Sequence, residues 1–190
     1  VQVDTQEINA TPLESVSVTD QKNEPVQCVP ADTSNLEPYQ NKILELLKQQ
    51  ELLMASIYQK LAILFPDNAD SYHTFLAEEM EHAGWIEQLH KACLNGKARF
   101  SEGKTRSYTI STMINFVQEF YKRLEVGQLT ELQALTAVSG FENALIERNV
   151  FQRFSGDTPE VEHVLGLLDD NQKKHTQRII ALLQRVRTSS

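Results

Sequence analysis

Glu79 and His82 stand three residues apart in FLAEEMEHAGWIEQL, residues 75–89, and both interrupt an otherwise apolar helical stripe. At helical spacing the stripe runs Tyr72, Phe75, Glu79, His82, Ile86, Leu89, Cys93, in steps of three and four that keep to one face. An ionised carboxylate turned into a core without a partner costs several kcal/mol. Something must compensate Glu79 and His82, and a metal ion is the candidate, because side chains at i and i+3 converge on one point and both types are common ligands.

Two further carboxylates fall on inward stripes. Glu51 lies among Ile43/Leu44, Leu47, Met54, Tyr58, Leu61 and Phe65, and Glu142 among Leu135, Val138, Leu145 and Asn149. A last stripe, Val161, Leu165, Leu168, Gln172, His175, Ile179, Leu182, Val186, carries Gln172 and His175 at the spacing of Glu79 and His82. The halves of the chain repeat: Glu51 precedes Glu79 by 28 residues and His82 by 31, while Glu142 precedes Gln172 by 30 and His175 by 33. Each half reads as a helical hairpin with one inward Glu on its first helix and [Glu/Gln]-x-x-His on its second. A Glu from each of two helices with Glu-x-x-His from the other two is how ferritin-like four-helix bundles build a dinuclear site. Taken singly, each residue has a plainer reading. An inward Glu more often meets a buried Lys, Arg or Tyr, a lone core His more often has a hydrogen-bond partner, and Gln172 with His175 could be such a pair. The combination favours ligation, since no basic residue shares the stripe of any of the three carboxylates. Tyr58 either donates to one of them or packs. His73, His90 and His163 read as surface or helix-end residues, and Glu78 and Glu81, off the seam, as solvated. With no ion bound, three facing carboxylates would repel, so at least one of them is expected to take up a proton.

The elements that must position these residues are helices. The first is expected from just after Pro38 to Phe65, stopped by Pro66, and the second from the polar loop 67–71 to Asn95-Gly96, a good terminating pair. The basic, polar segment 97–107 reads as the long connection of the bundle, followed by a helix capped by Thr109 or Ser111 that ends before Gly127. Thr130-Glu131-Leu132-Gln133 is a capping box opening a helix to about Phe154. Ser155-Gly156 ends it, and Pro159 begins the last helix, which runs to about Arg187. Residues 1–38 contain Pro12, Pro25, Pro30 and Pro38 with no sustained periodicity and read as an extended arm or linker. The fold class expected is all-α: a four-helix bundle over 39–187, a long central connection containing an extra helix, and the N-terminal arm.

The 190 residues are 41% hydrophobic with a net charge of −8, enough for one bundle and its arm. The acidic balance argues against nucleic acid and anionic membranes and would attract small cations. No apolar run approaches the roughly 20 residues of a membrane span, so a soluble, cytoplasmic protein is expected. The first residue is Val1, which leaves room for a removed leader. Cys28 and Cys93 form no CxxC pattern and support neither a disulfide framework nor a four-cysteine knuckle.

Over roughly residues 39–187 the chain resembles the rubrerythrin-like branch of the ferritin-like di-iron carboxylate proteins. The resemblance is carried by Glu51 with Tyr58 two turns on, by Glu79-Met80-Glu81-His82, by Glu142 in Phe141-Glu142-Asn143, and by His175. It implies Glu51 and Glu142 as terminal ligands, Glu79 as a bridging ligand and His82 and His175 as one nitrogen ligand per metal. It also implies a homodimer and an oxidoreductase acting on peroxide or dioxygen, re-reduced by an external electron-donor protein. The chain departs from the pattern twice. It lacks the four-cysteine electron-donor segment, and Gln172 stands where the family has a second bridging Glu. Three carboxylates leave one positive charge of two divalent ions uncompensated, so Gln172 is expected to be a weak ligand and its half of the site the looser one, with Asp169 a poorer substitute. The cofactor expected is iron, two ions or one if the Gln172 half is empty, with manganese or zinc compatible with the same ligands. The alternative is a non-catalytic or mononuclear metal-binding or sensing module; cage-type iron storage would require a large symmetric oligomer.

Overall fold

The computed structural model describes residues 36–144, 153–156 and 158–189, apart from the Asp169 side chain. They all belong to one unit, Asp32–Ser190. The arm expected over 1–38 lies outside the described residues as far as position 35, as do Leu145 and Asn149.

The described chain is all-α apart from one short ribbon. Its elements are α1 (Pro38–Leu64), a 3-10 turn (Pro66–Asn68), α2 (Ala69–Leu94), β1 (Ala98–Phe100), α3 (Ser107–Glu125), α4 (Glu131–Ala144), β2 (Phe154–Gly156) and α5 (Pro159–Ser189). Pro38 opens α1 where its missing N–H costs nothing, and Pro66 ends it. Gly96 closes α2 at φ 70°, a conformation other residues adopt at a cost. The capping box of α4 forms as expected: Gln133 N donates to Thr130 Oγ1 at 3.3 Å and Thr130 N to Gln133 Oε1 at 3.0 Å. No described helix is long and apolar enough to cross a membrane.

Apolar side chains collect in two clusters, one at each end of the helices. The first holds Ile43, Leu44 and Leu47 from the start of α1, Ile86, Leu89 and Cys93 from the end of α2, Ile110 and Ile114 from the start of α3, and Leu168 from α5. The second holds Met54, Tyr58 and Leu61 of α1, Tyr72 and Phe75 of α2, Val117, Phe120 and Leu124 of α3, Ala134, Leu135 and Val138 of α4, and Ile179 and Leu182 of α5. Directions follow from this division. α1, α3 and α5 run from the first cluster to the second, and α2 and α4 run the other way. The long connection is therefore α3 itself, which returns the chain along α1 so that α4 can start beside the start of α2. There Asn68 Nδ2 and Tyr72 Oη both donate to Glu131 Oε1, at 2.9 and 2.7 Å.

Three expectations about the connections are corrected. Ala98 and Phe100, read as part of a polar loop, are buried and form β1, antiparallel to β2, with Ala98 opposite Gly156 and Phe100 opposite Phe154. The fourth helix does not reach Phe154, which lies in β2 with its ring 4.8 Å from that of Phe100; three residues are too few for periodicity to reveal a strand. Gly156 is required there, because a Cβ would stand 2.6 Å from Val161 Cγ1. The third helix begins at Ser107 with Arg106 at its N-cap, one turn before either residue expected to cap it. Ile110 explains the earlier start, since it is fully buried and draws the first turn onto α1.

Candidate metal centre

Between the two apolar clusters lies a polar layer. Leu47 and Met54 flank Glu51 on α1, Phe75 and Ile86 flank Glu79 and His82 on α2, Val138 precedes Glu142 on α4, and Leu168 and Ile179 flank His175 on α5. All five polar side chains are buried, and Glu51 and Glu79 show no exposed surface. Each sits on its stripe between the residues of the two apolar clusters, which brings them to one height.

They form two groups. Ligand atoms of Glu51, Glu79 and His82 lie within 4.8 Å of one another, and so do those of Glu79, Glu142 and His175. Glu79 belongs to both, with Oε2 3.6 Å from His82 Nδ1 and Oε1 2.7 Å from His175 Nε2. His82 Nδ1 is also 3.6 Å from Glu51 Oε2, and His175 Nε2 is 3.4 Å from Glu142 Oε1. Tyr58 Oη donates to Glu142 Oε1 at 2.8 Å. Neither Glu79 oxygen has a hydrogen-bond partner, the 2.7 Å approach of His175 being an ion pair outside hydrogen-bond direction, and His82 Nε2 has none either.

These gaps bear on ligation. A direct hydrogen bond between imidazole and carboxylate closes to roughly 2.8 Å, whereas two ligand atoms each about 2.1 Å from one ion stand roughly 3.0–3.4 Å apart. The 3.6 Å spacing of His82 Nδ1 from both Glu51 and Glu79 is nearer the second. Buried Glu and His groups here could thus hold a metal ion. Oxygen and imidazole donors suit iron, manganese or zinc.

Both imidazoles of the cluster hold their protons far above the ordinary range. Burial opposes a charged His82, but Glu51 and Glu79 outweigh it and push its pKa up to about 10. Burial likewise opposes a charged His175, yet Glu142, Glu78 and Glu79 raise it to about 12. Burial and the charge of Glu142 push the Glu79 carboxyl up, but contacts with His175 and His82 prevail and hold it below the usual range. Glu79 is therefore not the carboxylate that takes up a proton, because the imidazoles facing it favour its charged form.

Of the residues singled out as ligands, Glu51, Glu79, His82, Glu142 and His175 reach the layer, and Tyr58 borders it; Gln172, expected as a weak ligand, is not in either group. Gln172 is half-buried one turn before His175, and its backbone carbonyl accepts from Thr176 Oγ1 at 3.1 Å. His73 and His163 are exposed as expected, whereas His90 is half-buried against Asn41 Oδ1. Glu78 is a correction. Read as solvated, it is only 9% exposed, with Oε2 2.6 Å from His175 Nδ1 and Oε1 paired with Arg178. One residue before Glu79, its side chain points about 100° round the helix, and the neighbour on that flank is α5. The available signal was Arg178, at i+3 from His175 and so on the same face of α5. Gln50, beside Glu51, is buried too, with Nε2 lacking a hydrogen-bond partner.

Comparison with protein-family models, with curated proteins and with solved structures finds no match in any of the three. The reading of the centre stands on this chain's own residues.

Proposed function

We propose that the chain is a ferritin-like, rubrerythrin-like metal protein whose polar layer binds two divalent ions, iron first among them, and that it acts as an oxidoreductase on peroxide or dioxygen. The observation that carries this reading is the position of Glu79, whose two oxygens face two separate histidines, each with a further carboxylate of its own. The path of α3 supports the fold: one long crossover that leaves α2 and α4 parallel is the connectivity of ferritin-like bundles. Glu51, Glu79 and His82 would hold one ion, and Glu79, Glu142 and His175 the other. When bound, an iron pair supplies electrons for the reduction of peroxide or dioxygen and is refilled by an external electron-donor protein.

The residues around the layer prepare it for that role. Tyr58 fixes one Glu142 oxygen, and the apolar clusters on either side keep bulk water from the carboxylates, which strengthens their hold on a cation. Gln172 favours a second reading, since it brings no charge to the α5 side: one ion or none, and a binding or sensing role without turnover. The subunit arrangement that accompanies the first reading is a homodimer.

Elemental analysis of protein purified without chelator and reconstituted anaerobically with iron tests the proposal. About two iron atoms per chain, the capacity of a paired-ligand site, together with loss of both ions in Glu79→Ala, is the expected result. One ion or none selects the second reading. Two ions that survive Glu79→Ala would refute the shared-carboxylate centre.

A further inference from the structure

We infer that Glu78 is a positioning residue that sets the His175 ring for the second ion, with Arg178 fixing Glu78 in turn. This rests on the metal reading above and assigns a role to a carboxylate outside the ligand set.

The two histidines present opposite nitrogens to the layer. His82 turns Nδ1 toward Glu51 and Glu79, and its Nε2 is buried without a hydrogen-bond partner. His175 turns Nε2 toward Glu79 and Glu142, and its Nδ1 lies 2.6 Å from Glu78 Oε2. An imidazole can ligate through Nε2 only when its remaining proton is on Nδ1. Glu78 accepts that Nδ1–H, which selects the tautomer and stops rotation of the ring about its bond to the helix. Consecutive residues of α2 thus grip one ring from both sides, Glu78 at Nδ1 and Glu79 at Nε2. Arg178, one turn along α5 from His175, takes the other Glu78 oxygen, so the carboxylate has its own anchor. Glu78 also lines a surface hollow with His73, Glu81 and Asn171, which places this support at the outer edge of the layer. Among the described residues, no carboxylate stands behind His82 in the same way. The two ion positions should therefore respond differently to loss of Glu78.

The test is anaerobic titration of the chelator-stripped full chain with Co2+, followed by calorimetry and by the visible spectrum of the bound ion. The wild-type chain is expected to take up two ions. Glu78→Ala should bind one as before and the other roughly 10–100-fold more weakly, the usual consequence of removing a carboxylate behind a ligating histidine. Glu78→Gln retains an acceptor for Nδ1–H and should recover most of that loss, which a general packing defect would not allow. Arg178→Ala, on a half-exposed side chain, should weaken the same ion several-fold and serves if Glu78→Ala does not fold. Two ions bound to Glu78→Ala at wild-type affinity would overturn the inference alone, as would equal weakening of both ions in every variant. A wild-type chain that takes up only one Co2+, unaffected by Glu78→Ala, would overturn the inference, and one that takes up none would remove the metal reading and this inference with it. In ion-free protein labelled with 15N-histidine, a protected Nδ1–H resonance from His175 is expected in the wild type and lost in Glu78→Ala; its persistence would overturn the role of Glu78.

Discussion

The buried imidazoles make the ion-free protein lose stability as the solution becomes alkaline, in a window where few other groups titrate. In the folded chain His82 and His175 stay protonated to about pH 10 and about 12, against an ordinary value of 6.5. A histidine whose pKa is raised on folding contributes stability that is fully present below the unfolded value and is lost as pH rises toward the folded one. Between pH 7.0 and 8.5 the native state holds two protons that the unfolded chain has largely released. Each costs about 1.4 kcal/mol per pH unit, so the window removes about 4 kcal/mol in all. For a chain of this size that lowers Tm by roughly 8–16 °C. Burial lowers the pKa of His90, which is neutral in both states above pH 7. Burial pushes Cys93 up to about 11 and Tyr72 well above its ordinary value, so both act mainly at the alkaline edge of the window or beyond it. The assay is thermal unfolding by circular dichroism in chelator at several pH values, repeated for His175→Gln, which should halve the slope. Buffered zinc should abolish it, because a ligated imidazole is neutral in both states. A Tm constant to within a degree or two from pH 7.0 to 8.5 in chelator would refute the placement of the two protons.

Two further predictions concern the α5 side and its neighbour. Gln172→Glu would add the missing negative charge and should raise both the iron content per chain and peroxide consumption if the site is a weakened enzyme; no change in either would count against Gln172 as the limiting residue. Tyr58→Phe removes the 2.8 Å hydrogen bond to Glu142 inside the core and should cost about 1–3 kcal/mol, read as a lower denaturant midpoint without change of slope; unaltered stability would show that Glu142 finds another donor.

What the sequence determined by itself is whatever repeats along a single helix. Steps of three and four place Glu51, Glu79, His82, Glu142 and His175 on apolar faces, and Pro38, Pro66, Asn95-Gly96, Thr130 and Pro159 mark ends of helices, because both signals depend only on neighbours within a turn or two. Their alignment at one height depends on the α3 crossover, which starts α4 beside the start of α2. What lies across helices was decided by tertiary packing. Glu78 is one residue from a seam position and becomes buried because α5, with Arg178 upon it, covers that flank. The pKa of His175 rises because the ring meets carboxylates from α2 and α4 together, a sum of charges that no single stripe displays. Phe154 left the helical pattern to pair with Phe100 through contacts more than fifty residues apart in the chain, which leave no periodicity to read. Burial pattern is local and legible; the choice of neighbour, and the charge that the neighbour brings, exists only once the helices have packed.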